Sequence, residues 1–182
     1  MARLRKFAAY RRLERPYTRL SKYRKKSYIR ASPNIKIVKF DMGDPKGSFD
    51  TRLHLVPKAS IQIRQEALEA ARQTSIRLLE KQLGKSGFHL KIRTFPFHIL
   101  RENPLASGAG ADRMSTGMAK SFGKPIGRAS QVKAGKELFT LSINMEHLNT
   151  GKKALERASK KMPCGFSIRV EEAIKRAPLA IA

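Results

Sequence analysis

The chemistry most evident in this sequence is that of a polyanion-binding segment. Residues 1–30 hold twelve Lys or Arg, a single acid (Glu14) and all four tyrosines of the chain. Cations bind phosphates and release counterions, and aromatic rings stack on bases or sugars, so the combination suits RNA or DNA. The contacts expected from this arm are Arg11, Arg12, Arg15, Tyr17, Arg19, Tyr23, Arg24, Lys25, Lys26, Tyr28 and Arg30.

Two other interpretations of the arm remain open. One is a solvated basic tail without a specific partner, and the other is a mitochondrial transit peptide, which is also rich in Arg and poor in acids. Lysine pairs, scarce serine and the spread of the tyrosines argue against the transit peptide. The segment has few aliphatic residues, so we expect it to stay disordered until a partner orders it.

A second basic stretch lies between Asn103 and Lys136. Residues 102–126 are rich in Gly, Ala, Ser and Met, which predicts a long loop whose backbone can approach a sugar–phosphate surface. The alternative is a flexible surface loop. One acid, Asp112, stands in the stretch against six cations, of which the expected phosphate contacts are Arg113, Lys120, Lys124 and Arg128.

Catalytic and cofactor motifs fail on inspection. Gly108-Ala109-Gly110 lacks the third glycine of a dinucleotide loop, and Pro125 follows Gly123-Lys124 where a phosphate loop needs a hydroxyl. The histidines and Cys164 lack zinc-ligand spacing, and no paired catalytic carboxylates are evident. We therefore expect no cofactor, no metal and no enzymatic activity. Polar residues on or next to one predicted strand are instead expected to face RNA: His89, Lys91, Arg93 and His98.

Composition supports a permanent anionic partner. The 182 residues include 39 Lys or Arg against 14 acids, a net charge of +25, and 41% apolar residues, so one domain with a tail can form a core. No apolar run reaches the roughly twenty residues of a membrane span. The single Cys164 excludes an internal disulfide and fits a reducing compartment.

Apolar periodicity predicts the elements that must position these residues. Residues 1–33 are the arm, 34–172 a globular domain with a long loop at about 102–120, and 173–182 a short tail. Pro96 makes residues 96–100 an edge strand or a bend, and Ser60 and Gly84 are the expected ends of the main helix. The pattern indicates an α+β fold, a two-layer sandwich with two helices on one face of a mostly antiparallel sheet. Its predicted strands span 35–40, 52–56, 88–95, 129–133, 137–144 and 166–170, and its helices 60–84 and 150–162.

Several short motifs between residues 87 and 127 carry a family resemblance. Their order is Gly87-Phe88-His89, Pro96-Phe97-His98, Gly108-Ala109-Gly110-Ala111-Asp112-Arg113, Gly117-Met118 and Phe122-Gly123-Lys124-Pro125-Ile126-Gly127. Together with Pro16-Tyr17-Thr18-Arg19 in the arm, they resemble the large-subunit ribosomal protein family called L-ten-e in archaea and eukaryotes and L-sixteen in bacteria. The form of the Ala-Asp-Arg block and the short C-terminus resemble the archaeal members.

The resemblance implies a non-catalytic α/β protein embedded in large-subunit rRNA, in the cytoplasmic ribosome. It also implies contact with tRNA in the A/P-site region, neighbouring ribosomal proteins as partners, no membrane and no homo-oligomer. A general architectural nucleic-acid-binding protein and an RNA-modifying enzyme are the alternatives. The family's loop near the peptidyl transferase centre corresponds to residues 102–120, and its tRNA-side residues are expected to be Ser107, Gly108, Gly110, Asp112 and Met114.

Overall fold

A computed structural model describes residues 8–18, 23, 32–103, 108, 110 and 123–172 of the chain. Within them the strands divide between two sheets, and every strand pairing is antiparallel. The α+β class, the antiparallel pairing and the two main helices confirm the expected fold. The strands are β1 Asp41–Gly43, β2 Thr51–Pro57, β3 Ile61–Arg64, β4 His89–Ile92, β5 His98–Glu102, β6 Lys124–Val132, β7 Phe139–Ile143 and β8 Phe166–Glu172, and the helices are α1 Ala8–Arg11, α2 Gln65–Leu83 and α3 Leu148–Ser159.

The five-stranded sheet has the order β1-β4-β7-β2-β8 and carries the main core on one face. Its register aligns Leu90, Leu141 and Leu53 in one row across the central strands, and all three are fully buried. Helix α3 lies on this face: Gly151 is so close that a Cβ there would meet the side chains of Ile143 and Leu53 at 2.5 Å. Helix α2 packs beside α3 and adds Leu68 and Leu79 to the same core.

The smaller sheet has the order β3-β6-β5 and presents β5 as an edge strand. This confirms the edge expected from Pro96, which stands just before β5 and is buried. The four-residue helix α1 contacts β3, the strand at the opposite edge of this sheet. The edge of β5 is therefore the place where a further extended segment could pair.

The main helix begins later than predicted. Ser60 is not its N-cap: the Ser60 hydroxyl accepts a hydrogen bond from the Ala134 N–H at 3.0 Å. Residues Ile61–Arg64 instead form β3 and pair with β6, and burial of Ile61 and Ile63 favours that pairing over a helical turn. The predicted end at Gly84 is confirmed, with a left-handed φ of 71°.

The strand predicted for residues 35–40 is wrong. Only Ile37 is buried in this segment, and its amides are bound by helix side chains: Lys36 N–H donates to Gln65 Oε1 at 3.1 Å, and Val38 N–H to Glu69 Oε2 at 3.4 Å. Four helical residues rise about 6 Å, and two extended residues span about 6.6 Å. Because the two spacings match, side chains of α2 can accept hydrogen bonds from alternate N–H groups of this segment, as a neighbouring strand would.

The remaining elements are present with shifted ends. No strand was predicted at β1, which follows residues 35–40, and β6 begins within the predicted 102–126 loop. Gly135, with a φ of 81°, lies in the turn between β6 and β7. The predicted strands at 88–95 and 137–144 are shorter, and the helix predicted for 150–162 is α3. Leu155 and Ala158 of α3 are buried, and so is Met162, which follows it. Residues 173–182 lie outside the described part of the chain.

Candidate nucleic-acid interface

The basic arm is docked on the edge of β5 through Tyr17. The Tyr17 N–H donates to Nδ1 of His98 at 2.8 Å, and the Ile99 N–H donates to the Tyr17 carbonyl at 2.9 Å. The guanidinium of Arg101 lies 3.8 Å from the centre of the Tyr17 ring, a cation–π contact. Tyr17 and His98, both predicted to contact RNA, thus meet each other and hold the arm against the sheet.

Residues 8–18 depart from the disorder expected of the arm. Tyr10 is 8% exposed and joins the hydrophobic core, although the sequence suggested that this segment had too few apolar residues for packing. The expectation neglected that one large ring can supply the buried area of several aliphatic groups. Anchored in this way, the segment leaves Arg11, Arg12 and Arg15 exposed to solvent.

A groove of about 380 Å³ separates this segment from the smaller sheet. Gln62 and Gln131 face each other across β3 and β6, and the Gln131 amide donates to Gln62 Oε1 at 3.2 Å. Arg12 and Arg101 supply cations to the same groove. Ala9, Glu14 and Ile99 also line the groove, so it mixes polar and apolar groups, and one carboxylate partly offsets its two cations.

The five-stranded sheet has a second face, opposite the one that carries Leu90 and the helices, and we call it the outer sheet face. His89 and Lys91 of β4 lie on it, as does Arg93, which directly follows β4. Its basic side chains already have partners: His89 Nε2 and Lys91 Nζ lie 3.3 and 3.4 Å from Asp41 Oδ1. Arg93 Nη2 lies 3.4 Å from Glu137 Oε2. Lys91 and Arg93 nevertheless keep 48% and 45% of their side chains exposed, so phosphates can reach them.

His54 lies on this face, in the row of Thr140 and Lys91, and was not expected to be part of a site. It is 2% exposed, and its Nδ1 is 3.1 Å from Thr140 Oγ1 and 3.3 Å from Glu137 Oε2. Its Nε2 is 3.3 Å from Glu171 Oε2. Because Glu137 also binds Arg93 and Nδ1 also meets Thr140, the group fits a network of polar side chains better than a metal site. Its members come from distant parts of the sequence, so no spacing signalled it.

Arg128 and Lys124 have different environments on β6. The Arg128 Nε donates to the Pro33 carbonyl at 2.6 Å, and its Nη2 donates to the Ser32 hydroxyl. The structure thus gives Arg128, predicted to contact phosphate, a role in holding the end of the arm. Lys124 is exposed at the start of the strand.

Many predicted contacts lie outside the described residues. Of the tRNA-side residues, Gly108 and Gly110 are described; both are exposed and have left-handed φ values of 131° and 79°. Tyr23 is described and 57% exposed. Those outside are Arg19, Arg24, Lys25, Lys26, Tyr28, Arg30, Ser107, Asp112, Arg113, Met114 and Lys120.

Cys164 lacks the environment of a nucleophile. Burial raises the pKa of its thiol, so the reactive thiolate is disfavoured at neutral pH. Among the described residues, no helix has both the length and the apolarity that a membrane span requires.

Comparison with known proteins places the chain in a family. The sequence model of ribosomal protein L16p/L10e matches residues 18–169. Relatives named large ribosomal subunit protein uL16 are similar over most of their length. That of Archaeoglobus fulgidus is 46% identical over 163 residues, 90% of this chain and 90% of the relative. That of Thermofilum pendens is 45% identical over 158 residues, covering 87% and 90%. That of Methanococcus maripaludis is 42% identical over 167 residues, covering 92% and 94%. This chain therefore belongs to the ribosomal protein L16p/L10e family, is of archaeal type, and is a structural protein rather than an enzyme.

Proposed function

We propose that this protein is a structural constituent of the large subunit of the cytoplasmic ribosome, and that it binds rRNA through its arm and basic surfaces. The observation that carries the proposal is the docking of the arm: Tyr10 and Tyr17 fix a segment on which Arg12 and Arg15 are exposed. A docked segment loses less conformational freedom when RNA binds than a disordered one, so more of the contact energy is retained as affinity.

Recognition rests on phosphates and shape. The A-form major groove is too deep and narrow for side chains, so double-stranded rRNA is contacted along its backbone and 2′-hydroxyls. The exposed cations of the arm and of the outer sheet face supply charge-assisted contacts on two sides of the domain. Large-subunit rRNA and adjoining ribosomal proteins are the proposed partners, with the protein present as a single copy.

The test is the salt dependence of rRNA binding by the full chain. Each phosphate contact contributes roughly 0.7 to 0.9 to the slope of log affinity against log salt. Replacing Arg12 and Arg15 together by Gln is expected to lower the slope by about 1.5. The matched control is Arg157→Gln, which removes an exposed arginine from α3 on the helix side of the domain.

An unchanged slope in the double variant would refute phosphate contact by the docked arm. A general architectural protein is the second candidate, and it would bind DNA duplexes and rRNA alike at equal salt. Co-sedimentation with intact large subunits at salt that removes DNA binding is expected here, and its failure would favour that candidate.

We further propose that residues 102–120 form a loop directed toward tRNA acceptor ends near the peptidyl transferase centre. The left-handed φ of Gly108 and Gly110 supports a backbone that can approach a nucleotide closely, since no Cβ intervenes. Among the residues that the structure describes, none has a heavy atom within 4 Å of the place where a Cβ of either glycine would be.

The loop is tested by replacing residues 105–118 with a short Gly-Ser linker. None of the strands or helices described here falls within that replacement, and a change of loop length costs little entropy, so the domain is expected to fold and join subunits. Peptidyl transfer by these subunits is then expected to fall at full protein occupancy. Full activity would refute the tRNA role, and lost occupancy would show an assembly role instead.

A further inference from the structure

Phe97 is a large apolar ring that the fold leaves uncovered. It is 61% exposed, although it lies between the buried residues Pro96 and Ile99. Its N–H donates to the Phe95 carbonyl at 2.9 Å, which closes a tight turn just before β5. The backbone beside this ring is therefore held in place, and the exposure is a fixed feature of the surface.

The ring of Phe97 is the outermost of three. Its centre is 4.8 Å from that of Phe95, and the two planes are tilted by 49°. Phe95 in turn stacks on Phe40 at 5.5 Å with planes only 20° apart, and Phe40 packs against the main core. The column restricts the rotamers of Phe97, so a flat partner could bind its outer side without a large loss of side-chain entropy.

Charge around the column favours an anionic partner. Lys39 precedes Phe40 and Arg93 stands two residues before Phe95, and both side chains are exposed. Asp41, which follows Phe40, already lies 3.4 Å from Lys91 Nζ, so its carboxylate is paired with a cation. A nucleic-acid strand gains from such surroundings, because its phosphates meet the cations while a base covers the ring.

From this arrangement we infer that Phe97 is the stacking site for one unpaired base of the rRNA, a contact that rests on the rRNA binding proposed above. Phe97 would stack on the π-face of the base, which every nucleotide has, so the contact would not depend on the identity of the base. Unpaired bases in loops and bulges are the parts of RNA that proteins reach by stacking. The docked arm at His98, the next residue, would bring the phosphates on either side of that base within reach of its arginines.

The absence of tryptophan from the chain provides a direct probe of stacking. Phe97→Trp introduces a single fluorophore at the end of the column. Met145→Trp is the matched control, because Met145 is 53% exposed and lies away from the column. Met145 follows the C-terminal end of β7, whereas the N–H of Arg93, two residues before Phe95, bonds to Leu138 just before the N-terminal end of that strand. Each variant is titrated with protein-free large-subunit rRNA and, separately, with polyphosphate, which has the charge but no bases.

The expected result is strong quenching of Phe97→Trp by rRNA, weak quenching by polyphosphate, and weak quenching of Met145→Trp by both. Equal quenching of Phe97→Trp by the two polyanions would overturn the inference, because charge alone would then explain the signal. If the unaltered protein bound no rRNA, the proposed function would fail and this inference with it.

Affinity supplies a second readout. Phe97→Leu keeps an apolar side chain but removes the π-face, and it is expected to weaken rRNA binding by about 5- to 150-fold, the usual range for one stacked base. Phe97→Tyr is expected to bind within about twofold of the unaltered protein. The salt slope should stay the same in both variants, since no cation is lost. Equal affinity of the Leu variant and the unaltered protein would overturn the inference even if all proteins bind rRNA tightly.

Discussion

Glu69 holds the segment of residues 34–40 on α2, and its replacement by alanine should release that segment. Its carboxylate accepts from Arg72 Nε at 2.8 Å, from Gln73 Nε2 at 3.0 Å and from the Val38 N–H at 3.4 Å. Arg72 is only 12% exposed in its side chain, so Glu69→Ala leaves a guanidinium with little access to water. The variant therefore loses a bidentate ion pair and one backbone contact of the segment.

The cost follows from these contacts. Hydrogen bonds to charged groups contribute about 1.5–3 kcal/mol each, and a pair that keeps some access to solvent lies toward the low end. We expect Glu69→Ala to lower the free energy of unfolding by about 2–3 kcal/mol. The hydrogen bonds from Arg72, against the opposing effect of burial, hold the pKa of Glu69 below its usual 4.5. The stabilisation is thus present above pH 4.5 and is lost as the pH falls through the lowered pKa.

Urea unfolding monitored by circular dichroism, together with amide exchange at Lys36 and Val38, measures the effect. Glu156→Ala is the control, because it removes the same charge from an exposed site on α3. At pH 7 the two variants should differ by about 2 kcal/mol, and by less once the pH falls through the lowered pKa of Glu69. Equal stability of the two variants at pH 7, or unchanged exchange at Val38, would refute the role assigned to Glu69.

Three other substitutions have defined outcomes. Gly43→Ala places a Cβ 2.0 Å from the Phe88 carbonyl at a φ of 85°, and should cost about 3 kcal/mol in urea unfolding, against about 1 kcal/mol for Gly84→Ala, which meets nothing within 4 Å. Gly151→Ala gains helix propensity but should still destabilise by about 1 kcal/mol, because its Cβ overlaps side chains of the main core. Tyr17→Ala should speed proteolysis of the arm, whereas Tyr17→Phe should not, since the ring alone faces Arg101.

Helix α2 shows what periodicity can predict. Its buried positions Leu68, Ala71, Ser75 and Leu79 repeat at helical spacing, and Gly84 ends it, so the face and the end were predictable from sequence. Its beginning was not, because the apolar residues of β3 continue the same pattern toward the N-terminus. Pairing with β6, which is distant in sequence, decided the boundary, and no local signal carries that information.

The segment around Ile37 shows the complementary failure. Alternation identified an extended chain with one side inward, and burial of Ile37 beside exposed Val38 agrees with that. Alternation does not reveal what the backbone amides bind, and a helix side chain can accept them as a strand does. The same limit applies to Tyr17: its type and charge environment predicted RNA contact, but its pairing with Ile99 depends on the tertiary fold.

The acids of the fold affect how its charge can act on RNA. Asp41 and Glu137 each lie within 3.4 Å of a cation on the outer sheet face, so Lys91 and Arg93 must share or exchange a partner when a phosphate arrives. A cation that is already paired with a carboxylate adds less to the salt slope, because it must give up that partner when it binds a phosphate. Arg12, in the exposed arm, adds its full share to the slope. It follows that the salt slope of rRNA binding should be smaller than the number of basic residues at the interface. It also follows that Asp41→Asn should steepen the slope by freeing Lys91, and an unchanged slope would show that Lys91 stays outside the RNA interface.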